Sequence, residues 1–469
     1  MISSVRNFVL VITAAIAICA PVHAQRKPSE VLLVYNAASP ISTAVAKDYE
    51  AKRHIKNVVA VQCIDSAVKT ENETILIGDY TAQIAGPISQ YLAKHKKIDF
   101  IVLTKGVPVR VRDGETGERE GGQGPMMPSL DSYLAAIDYP RIPGALKANL
   151  AGSGTVGTGW VNRYYHTSEP FSHAKFGGYL VTRLDGYTQA DAMGLVTQAL
   201  EAESGVGKGD ILFDIQPDFG LGDKTNFPLV TPSLNVTEEE PWGDWFGDML
   251  RMNDILEASG VPHFTDLTQK FIGNKMDLLG YFSYGSNDSH YDGDAYQSLR
   301  FAPGSMVDTA VSTGARTFMP TSGGQSLIAD LIAHGATCIQ GYAGEPILDG
   351  ISSPTIDLTH YLSGYTMAES FYAGTKYIGW EGVCVGDPLC RPYAGRKLVI
   401  PTLAASFTDS HGDLKTEDCR EGGRNVGSIS QGDSLSYAGV DWTRKTEFIV
   451  RTASGGPGGA IELHLDTPR

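Results

Sequence analysis

Short apolar runs alternate with helical spacing of apolar residues from residue 30 to about residue 395. The run Val31–Tyr35 is continuous and rich in β-formers, and Ile41–Arg53 then repeats its apolar positions at helical spacing. Continuous apolar runs are typical of strands buried on both faces of a parallel sheet. The alternation predicts an α/β fold with a largely parallel sheet, and its length leaves open one sheet or two sub-units side by side.

The same pattern places the other elements. We predict further strands at Val58–Cys63, Ile98–Thr104, Gly178–Leu184, Asp210–Ile215, Leu278–Tyr284, Arg316–Pro320 and Thr337–Tyr342. We predict further helices at Tyr80–Lys94, Gln189–Glu203, Trp245–Ala258 and Gln325–His334. Residues 113–160 and 218–243 interrupt this order as long irregular stretches, which in a compact domain are usually functional or disordered.

The pattern changes after Tyr393. Ser434–Tyr437, Phe448–Val450 and Ile461–Leu465 alternate apolar and polar residues, with Gly-rich turns between them. Such alternation is typical of antiparallel strands with one buried face, so an all-β jelly-roll sandwich is expected from about residue 398.

The first 24 residues have the pattern of a secretory signal peptide. Arg6 gives a positive start, Phe8–Ala20 is apolar, and Val22-His23-Ala24 has the small-x-small form of a cleavage site. A membrane anchor, or a lipoprotein signal at Cys19, are the alternatives. The expected domains are therefore residues 1–24, 25–397 and 398–469. The chain is expected to be exported to the periplasm, cell surface or medium, with no transmembrane segment left after cleavage.

Charge and cysteine content narrow the possible partners. The chain has 53 acidic and 38 basic residues, a net charge of −15, which argues against nucleic acid as a partner because phosphate binding needs basic surface. Five cysteines follow the signal peptide, and export permits disulfides. Cys384 and Cys390 are the nearest pair in sequence, and either a disulfide between them or free thiols fits this spacing.

A dense polar cluster follows the predicted strand Leu278–Tyr284. Asp288, His290, Asp292 and Asp294 lie just beyond the strand, where open α/β sheets bind ligands. Asp288, Asp292 and Asp294 also resemble a calcium loop, but its twelfth position is Leu299 rather than a glutamate. Three interpretations stay open: a catalytic or substrate-binding loop, a Ca²⁺ site, and a structural turn.

Other candidates for chemistry follow later strands. Ser322 or Ser326 is a candidate nucleophile beside His290, although Gln325 and Ser326 also have the composition of a helix cap. Glu345 follows the next strand and is expected to face the same crevice. Asp131, Asp185 and Asp214 lie in or beside apolar runs and are candidate acid–base carboxylates. The segment Gly152–Gly157 matches a dinucleotide-binding motif but lacks the strand and helix this motif needs, so we expect a loop.

Two aromatic residues of the tail, Tyr437 and Trp442, are candidates for sugar binding, with a place in the core as the alternative. Flat aromatic rings suit the apolar C–H faces of sugars. The tail resembles a family 6 carbohydrate-binding module from about residue 404 to Arg469. The residues that carry this resemblance include Gly423, Asn425, Gly427, Gly432, Asp433, Leu435, Tyr437, Val440, Asp441, Val450, Ala453, Gly458, Ile461, Leu463 and Asp466.

That resemblance implies a role for Tyr437 as one wall of a sugar-binding cleft. In the family, the other wall is a tryptophan from a loop that would follow Arg469, and Ala405 stands where a glutamate helps to bind a structural Ca²⁺. A jelly roll has eight strands, and the turn spacing here accounts for about five. We therefore expect an incomplete sandwich, truncated at Arg469.

The large domain resembles an uncharacterised exported bacterial family from genomes that encode exosortase systems. The segments that carry this resemblance are Thr104–Pro108, Leu180–Gly186, Tyr284–Asp288, Gln325–Asp330, Glu345–Pro346 and Gly386–Cys390. The domain is also similar to gingipain and caspase-type peptidases, in which a His-Gly follows one strand and a Cys ends the next. Tyr284-Gly285 stands in the first place and Thr321-Ser322 near the second, so the Cys–His dyad is expected to be absent.

The leading hypothesis is an exported carbohydrate-binding protein: a caspase/gingipain-like layered α/β domain of unknown activity, joined to a module that targets polysaccharide or a cell-surface glycan. One alternative is a hydrolase, peptidase-like or glycan-active, with its site at the 284–294 and 321–326 loops. Another is a non-catalytic protein of the envelope or of surface-polysaccharide assembly. Ca²⁺ is the one cofactor that the sequence suggests.

Overall fold

A ten-stranded sheet forms the centre of the molecule. Its strands are β1 (Val31–Asn36), β2 (Asn57–Val61), β3 (Phe100–Thr104), β4 (Leu180–Leu184), β5 (Ile211–Asp214), β6 (His263–Asp266), β7 (Leu278–Ser283), β8 (Phe301–Thr309), β9 (Cys338–Tyr342) and β10 (Gly382–Val385). The computed structural model describes residues 8–13, 16–17, 26–112, 127–152, 155–219, 242–393, 397–402, 404–418, 424–438, 440, 449–454 and 458–465.

The strands lie side by side in the order β6-β5-β7-β8-β9-β10-β4-β3-β1-β2. Strands β1–β4 form one half of the sheet and β5–β10 form the other. Neighbours within each half run parallel, except that β10 is antiparallel to β9. A single residue pair, Arg183 with Val385, joins β4 to β10 and so joins the halves. The predicted α/β class with a largely parallel sheet is confirmed, and the two sub-units share one sheet.

Helices cover the sheet, which explains why its strands are apolar throughout. All residues of β3, β4, β5, β7 and β9 are buried. Burying one large aliphatic or aromatic side chain contributes about 1.5–3 kcal/mol. The α-helices of the domain are Pro40–Arg53, Ile77–Asp79, Gly86–Lys94, Leu130–Ala135, His173–Phe176, Gln189–Ser204, Trp242–Ala258, Gly293–Gln297, Ile328–Ala333, Pro354–Leu362 and Met367–Gly374.

In the large sheet one predicted strand is wrong, and three strands, β6, β8 and β10, were missed. Arg316–Pro320 has no regular structure, and the strand that pairs with β7 is β8, Phe301–Thr309. Its sequence contains Pro303 and Gly304, which break the apolar run that a central strand usually shows. The pairing with β7 shifts register between Leu278 and Gly280, and this irregularity accommodates the Pro-Gly step.

The segment with the dinucleotide-like motif is a hairpin. Lys147–Gly152 pairs antiparallel with Thr155–Val161, and the latter also pairs with Tyr377–Ile378. The prediction that residues 147–151 are not a strand is therefore wrong. Gly157 lies within the strand Thr155–Val161 and no helix directly follows that strand, so this glycine does not open onto a helix N-terminus, which a dinucleotide would need.

The C-terminal region is built of short antiparallel strands. Lys415–Asp418, Arg424–Gly427 and Ile449–Ser454 belong to one sheet, and Asp409–His411 pairs with Ser434–Ser436. The predicted strand Ile461–Leu465 is wrong, because this segment has no regular structure. Its apolar side chains Ile461, Leu463 and Leu465 are exposed, which is consistent with a segment that packs against no neighbouring strand.

The described parts of the apolar N-terminal segment, residues 8–13 and 16–17, are extended rather than helical. Phe8–Thr13 lies between Arg424–Gly427 and Ile449–Ser454 in the C-terminal sheet, and Ile16–Ala17 pairs with Val399–Ile400. Within the described ranges, no helix combines the length and the apolar character needed to cross a membrane.

The cysteines of the described region are free and buried. They are Cys63, Cys338, Cys384 and Cys390. The alternative of a Cys384–Cys390 disulfide is therefore wrong. The Cys390 thiol instead lies 3.3 Å from the Tyr361 hydroxyl, and the Cys384 thiol lies 4.0 Å from the Met367 sulfur.

Candidate functional site

The carboxyl ends of strands from both halves of the sheet meet at one edge. Lys105 directly follows β3, and its ammonium donates to the carbonyl of Phe318, which follows β8, at 3.2 Å. The same ammonium donates to Asp185, which follows β4, at 3.2 Å. Ligands of open α/β sheets bind beyond the carboxyl ends of strands, so this edge is the place to look for a site.

The ends of β7 and β8 hold the positions that the peptidase resemblance singles out. Tyr284-Gly285 follows β7, as predicted, but Ala310 directly follows β8, so Thr321-Ser322 does not stand at the end of that strand. Neither place holds a His or Cys. Gly285 has φ +47°, and a Cβ there would lie 2.8 Å from Val311 and 3.0 Å from the Ser326 hydroxyl. A glycine is therefore needed for the chain to turn here.

The two loops of the predicted site contact each other. The Ser286 hydroxyl accepts from the backbone N–H of Ser326 at 2.8 Å, and the Ser326 hydroxyl accepts from the backbone N–H of Ser286 at 3.2 Å. The Gln325 amide donates to the Asn287 side-chain oxygen at 2.6 Å. The loops that follow β7 and β8 are thus joined by reciprocal hydrogen bonds.

The two predicted catalytic side chains are not joined by this contact. The His290 ring contacts Asp218 through Nε2 at 3.0 Å, and Ser322 is exposed. Among the described residues, no hydrogen bond joins His290 to Ser322. Asp288 is buried and accepts from the Gln216 amide at 2.9 Å and from the His290 backbone N–H at 2.7 Å. Their catalytic roles stay predictions.

The suggested metal ligands serve separate local contacts. The Asp292 carboxylate caps the helix Gly293–Gln297 by accepting from the backbone N–H groups of Asp294 and Ala295. Asp294 is exposed. In the part of the chain that the structure describes, no three His, Cys, Asp or Glu side chains are placed to hold a metal ion. Ca²⁺ binding by this loop stays a prediction that these contacts do not support.

Two of the candidate acid–base carboxylates belong to a buried ion network. Asp131 and Asp185 both accept hydrogen bonds from Arg183, and Asp185 also accepts from Lys105. Carboxylates neutralised in this way are structural partners rather than free bases.

The third of those carboxylates, Asp214, is in a different environment. It ends β5 and is buried, and the Ser283 hydroxyl is 3.5 Å away. Burial, with repulsion from Asp266 and Asp288, raises the pKa of Asp214 to about 7. Such a carboxyl group changes protonation near neutral pH.

A cavity at this edge lies where the two halves of the sheet meet. It has a volume of about 260 Å³. It is lined by Arg110, Met127, Thr313, Arg316, Ala343, Gly344, Glu345 and Glu381. Glu345, a predicted site residue, thus lines a pocket at the carboxyl edge.

The local backbone fixes the Glu345 carboxylate. Its Oε1 accepts from the backbone N–H of Ile347 at 3.0 Å. Ile347 has φ +60° and ψ 156°, a conformation that a β-branched residue adopts only at a cost of about 1–3 kcal/mol. Backbone strain of this kind clusters at binding sites.

Sequence reasoning missed the other charged residues of the pocket. Arg110 lies just past β3, Arg316 lies past β8, and Glu381 immediately precedes β10. The available signal was a charged side chain in the loop after an apolar strand, for Arg110 and Arg316. It went unused for Arg316 because residues 316–320 were themselves predicted to be a strand.

In the C-terminal region, Tyr437 is half-buried next to the strand Ser434–Ser436. Its hydroxyl donates to the carbonyl of Ala404 at 2.7 Å, and burial raises the pKa of this phenol. The hydrogen bond anchors one end of the ring. Trp442 lies outside the described residues.

Comparison with known proteins identifies the C-terminal region. Residues 404–469 match the carbohydrate-binding module of family 6, which confirms the predicted module. No curated protein sequence matches the chain.

Two solved structures resemble the chain as a whole. One is the Arg-specific cysteine proteinase gingipain R, with 11% identity, a TM-score of 0.39, and coverage of 92% of this chain and 96% of that chain. The other is described as the structure of a protease, with 11% identity, a TM-score of 0.44, and coverage of 92% and 99%. This likeness is too distant to carry an inference about activity.

Proposed function

We propose that the protein is exported and binds a polysaccharide or cell-surface glycan through residues 404–469, which hold its α/β domain at that surface. The carrying observation is the family 6 match over residues 404–469. The half-buried ring of Tyr437, anchored through its hydroxyl to Ala404, supports a sugar-binding role for this side chain.

Retention on insoluble polysaccharide tests the binding proposal. The full-length protein is mixed with xylan, β-glucan or cellulose, and the bound and free fractions are compared after sedimentation. We expect the protein to be retained on at least one of the three polysaccharides. Free soluble oligosaccharide of the same type should reverse this retention. Absence of retention on all three would overturn the proposal.

Export is tested at the N-terminus. The apolar run Phe8–Ala20 and the Val22-His23-Ala24 site support cleavage after Ala24. In a bacterium expressing the full-length chain, mass spectrometry of the protein outside the cytoplasm should find Gln25 as its first residue. A protein that stays in the cytoplasm with residues 1–24 intact would contradict export. In that form Phe8–Thr13 remains a strand of the C-terminal sheet.

A hydrolase is the second candidate function. The observation that favours it is the hydrogen-bonded contact of Ser286 and Asn287 with Gln325 and Ser326, because it brings the two predicted site loops together. We propose His290 and Ser322 as the residues to test. If the protein has no such activity, a non-catalytic role in the envelope or in surface-polysaccharide assembly is the remaining hypothesis.

A further inference from the structure

The pocket at the carboxyl edge is assembled from four distant parts of the chain. Arg110 follows β3, Thr313 and Arg316 follow β8, Glu345 follows β9, and Glu381 precedes β10. Backbone contacts join these parts. The Ala343 N–H donates to the Glu381 carbonyl at 2.9 Å, and the Ala315 N–H donates to the Tyr342 carbonyl at 2.8 Å. Arg110 forms a β-bridge with Ser129, whose N–H donates to the Trp380 carbonyl at 2.9 Å. The pocket is therefore a product of the whole α/β fold.

Two arginines of the pocket have no carboxylate within ion-pair distance among the described residues. Arg316 donates to the carbonyls of Thr313, Gly323 and Gln325, and Arg110 donates from Nε to the Thr74 hydroxyl at 3.1 Å. These contacts orient both guanidinium groups without neutralising their charges.

The environment of these two arginines favours an anion. Burial lowers the pKa of both side chains. The charges of Glu73 and Glu381 oppose this effect on the pKa of Arg110 without cancelling it, and repulsion by Arg316 adds to it. A partly buried cation without an ion pair loses solvation that a bound anion restores. A carboxylate matches the planar fork of a guanidinium, which makes it the anion of choice here.

The pocket also offers hydrogen-bond acceptors beside the arginines. The Glu345 and Glu381 carboxylates and the Thr313 hydroxyl line the same space. Its volume of about 260 Å³ lies just below the roughly 300 Å³ at which pockets for drug-sized ligands begin. This size suits a single small unit that carries one carboxylate and several hydroxyl donors.

We propose that this pocket binds one uronic acid unit of an acidic glycan, with its carboxylate held by Arg110 and Arg316 and its hydroxyls donated to Glu345 and neighbouring acceptors. The choice of a sugar rests on the proposed function, since residues 404–469 direct the chain to carbohydrate. The carboxylate of an acidic peptide side chain would also bind Arg110 and Arg316. Such a side chain, however, offers few hydrogen-bond donors to the acceptors of the pocket, such as the Glu345 carboxylate. The pocket is thus a second carbohydrate site, separate from Tyr437.

Titration with free monosaccharides tests the assignment. Glucuronic acid is titrated at pH 7 into the full-length Tyr437→Ala protein by saturation-transfer NMR, with glucose as the neutral match. The Tyr437 substitution removes the module's own sugar contact, so any signal reports the pocket. We expect glucuronic acid to bind and glucose to bind at least tenfold more weakly. Arg110→Gln and Arg316→Gln should each weaken glucuronic acid at least tenfold, because each removes a charged hydrogen bond.

Arg300→Gln is the matched control. Arg300 also donates to backbone carbonyls, but it precedes β8 and so lies at the opposite end of that strand from Arg316. Binding should stay unchanged in this variant. Absence of glucuronic acid binding, equal binding of glucose, or unchanged binding in both Arg110→Gln and Arg316→Gln would overturn the proposal. Stronger competition by N-acetylaspartate amide would assign the pocket to an acidic peptide and overturn the sugar assignment. None of these outcomes depends on retention on polysaccharide.

Discussion

Arg183 donates to both carboxylate oxygens of Asp131, from Nε at 3.0 and 3.2 Å and from Nη2 at 2.7 Å, and neither side chain is exposed. Burial disfavours the guanidinium charge, but Asp131 and Asp185 outweigh it and raise the pKa of Arg183. The backbone of the same residue forms the one residue pair that joins β4 to β10. The ion network therefore lies at the joint between the two halves of the sheet.

The first prediction concerns this network. Arg183→Met leaves Asp131 and Asp185 buried without their main partner, and removing one member of a buried ion pair typically costs about 3–5 kcal/mol. We expect a loss of this size in the free energy of unfolding, measured by urea denaturation. The double variant Arg183→Met/Asp131→Leu should recover part of it, because an apolar pair needs no counter-charge. A single variant as stable as the parent, or a double variant no better than the single, would contradict the role of the pair.

A second prediction concerns Asp214 and pH. Its folded pKa is about 7, above its unfolded value of 3.8. The folded state therefore binds the extra proton between these values, so this residue's contribution to stability is complete below about pH 4 and declines as the pH rises to 7. The free energy of unfolding of the parent should therefore fall between pH 5 and pH 8. In Asp214→Asn, which lacks this titrating group, the fall should be smaller by about 2–3 kcal/mol.

Urea denaturation at pH 5 and pH 8 measures this difference. Asp210→Asn, at the exposed opposite end of β5, is the control and should keep the parent's pH dependence. Burial raises the pKa of Asp248 to about 6, and this residue adds the same pH dependence of the free energy of unfolding to all three proteins. Equal slopes for the parent and Asp214→Asn would refute the assignment.

Apolar runs predicted most of the large sheet because its strands are buried on both faces, as in Leu180–Leu184. They missed β8 because Pro303 and Gly304 interrupt its apolar run. The strand tolerates these residues through a register shift in its pairing with β7, and a single strand's sequence does not show how it pairs. They predicted a strand around Phe318 from a short apolar segment, yet this side chain is buried outside any strand and packs under the Arg183 guanidinium, 5.5 Å from the ring centre. Local sequence does not reveal that partner.

The candidate pocket was predictable only in part, because contacts between residues distant in the sequence assemble it. Glu345 stood out because it follows an evident strand. Arg110 and Arg316 are brought together by contacts between residues about 200 positions apart, such as Lys105 with Phe318. A single sequence contains no signal for such contacts, and only the fold shows that these side chains share one space.

A third prediction concerns the thiols. Burial raises the pKa of Cys63 to about 12 and that of Cys384 well above its usual value, so neither forms a reactive thiolate at pH 8. In a protein with Cys19 and Cys419 replaced by Ser, we expect no reaction with Ellman's reagent in the native state. After unfolding in urea, four thiols should react. A rapid native reaction would contradict the burial, and fewer than four thiols after unfolding would reveal a disulfide.

A fourth prediction addresses the hydrolase candidate. His290→Ala and Ser322→Ala should each reduce turnover at least 100-fold if these residues are base and nucleophile. Release of reducing ends from polysaccharide and of peptides from casein measures the two substrate classes. Ser204→Ala is the matched control, because its exposed hydroxyl donates to the Glu201 carbonyl at the end of the helix Gln189–Ser204, outside both predicted site loops. If the parent is active and both test variants keep its activity, this site is refuted.

The last prediction separates the two uses of Tyr437 in the family 6 module. Its half-buried ring is the proposed surface for sugar stacking, while its hydroxyl donates to the carbonyl of Ala404. Tyr437→Ala removes both, and we expect at least a tenfold loss of affinity in the polysaccharide retention assay, or about 1.4 kcal/mol. Tyr437→Phe keeps the ring and loses only the hydrogen bond, so it should retain glycan within a few-fold of the parent and lose about 1 kcal/mol of stability.

Tyr91→Ala provides the matched aromatic control. Tyr91 stacks on His95 in the helix Gly86–Lys94, far along the chain from the module, and its loss should leave retention unchanged. Equal affinity of Tyr437→Ala and the parent would show that the ring does not contact glycan. The two variants differ in the ring and share only the missing hydroxyl. An equal loss of glycan affinity in Tyr437→Ala and Tyr437→Phe would therefore show that the hydrogen bond to Ala404, rather than the ring, supports binding by maintaining the shape of the module.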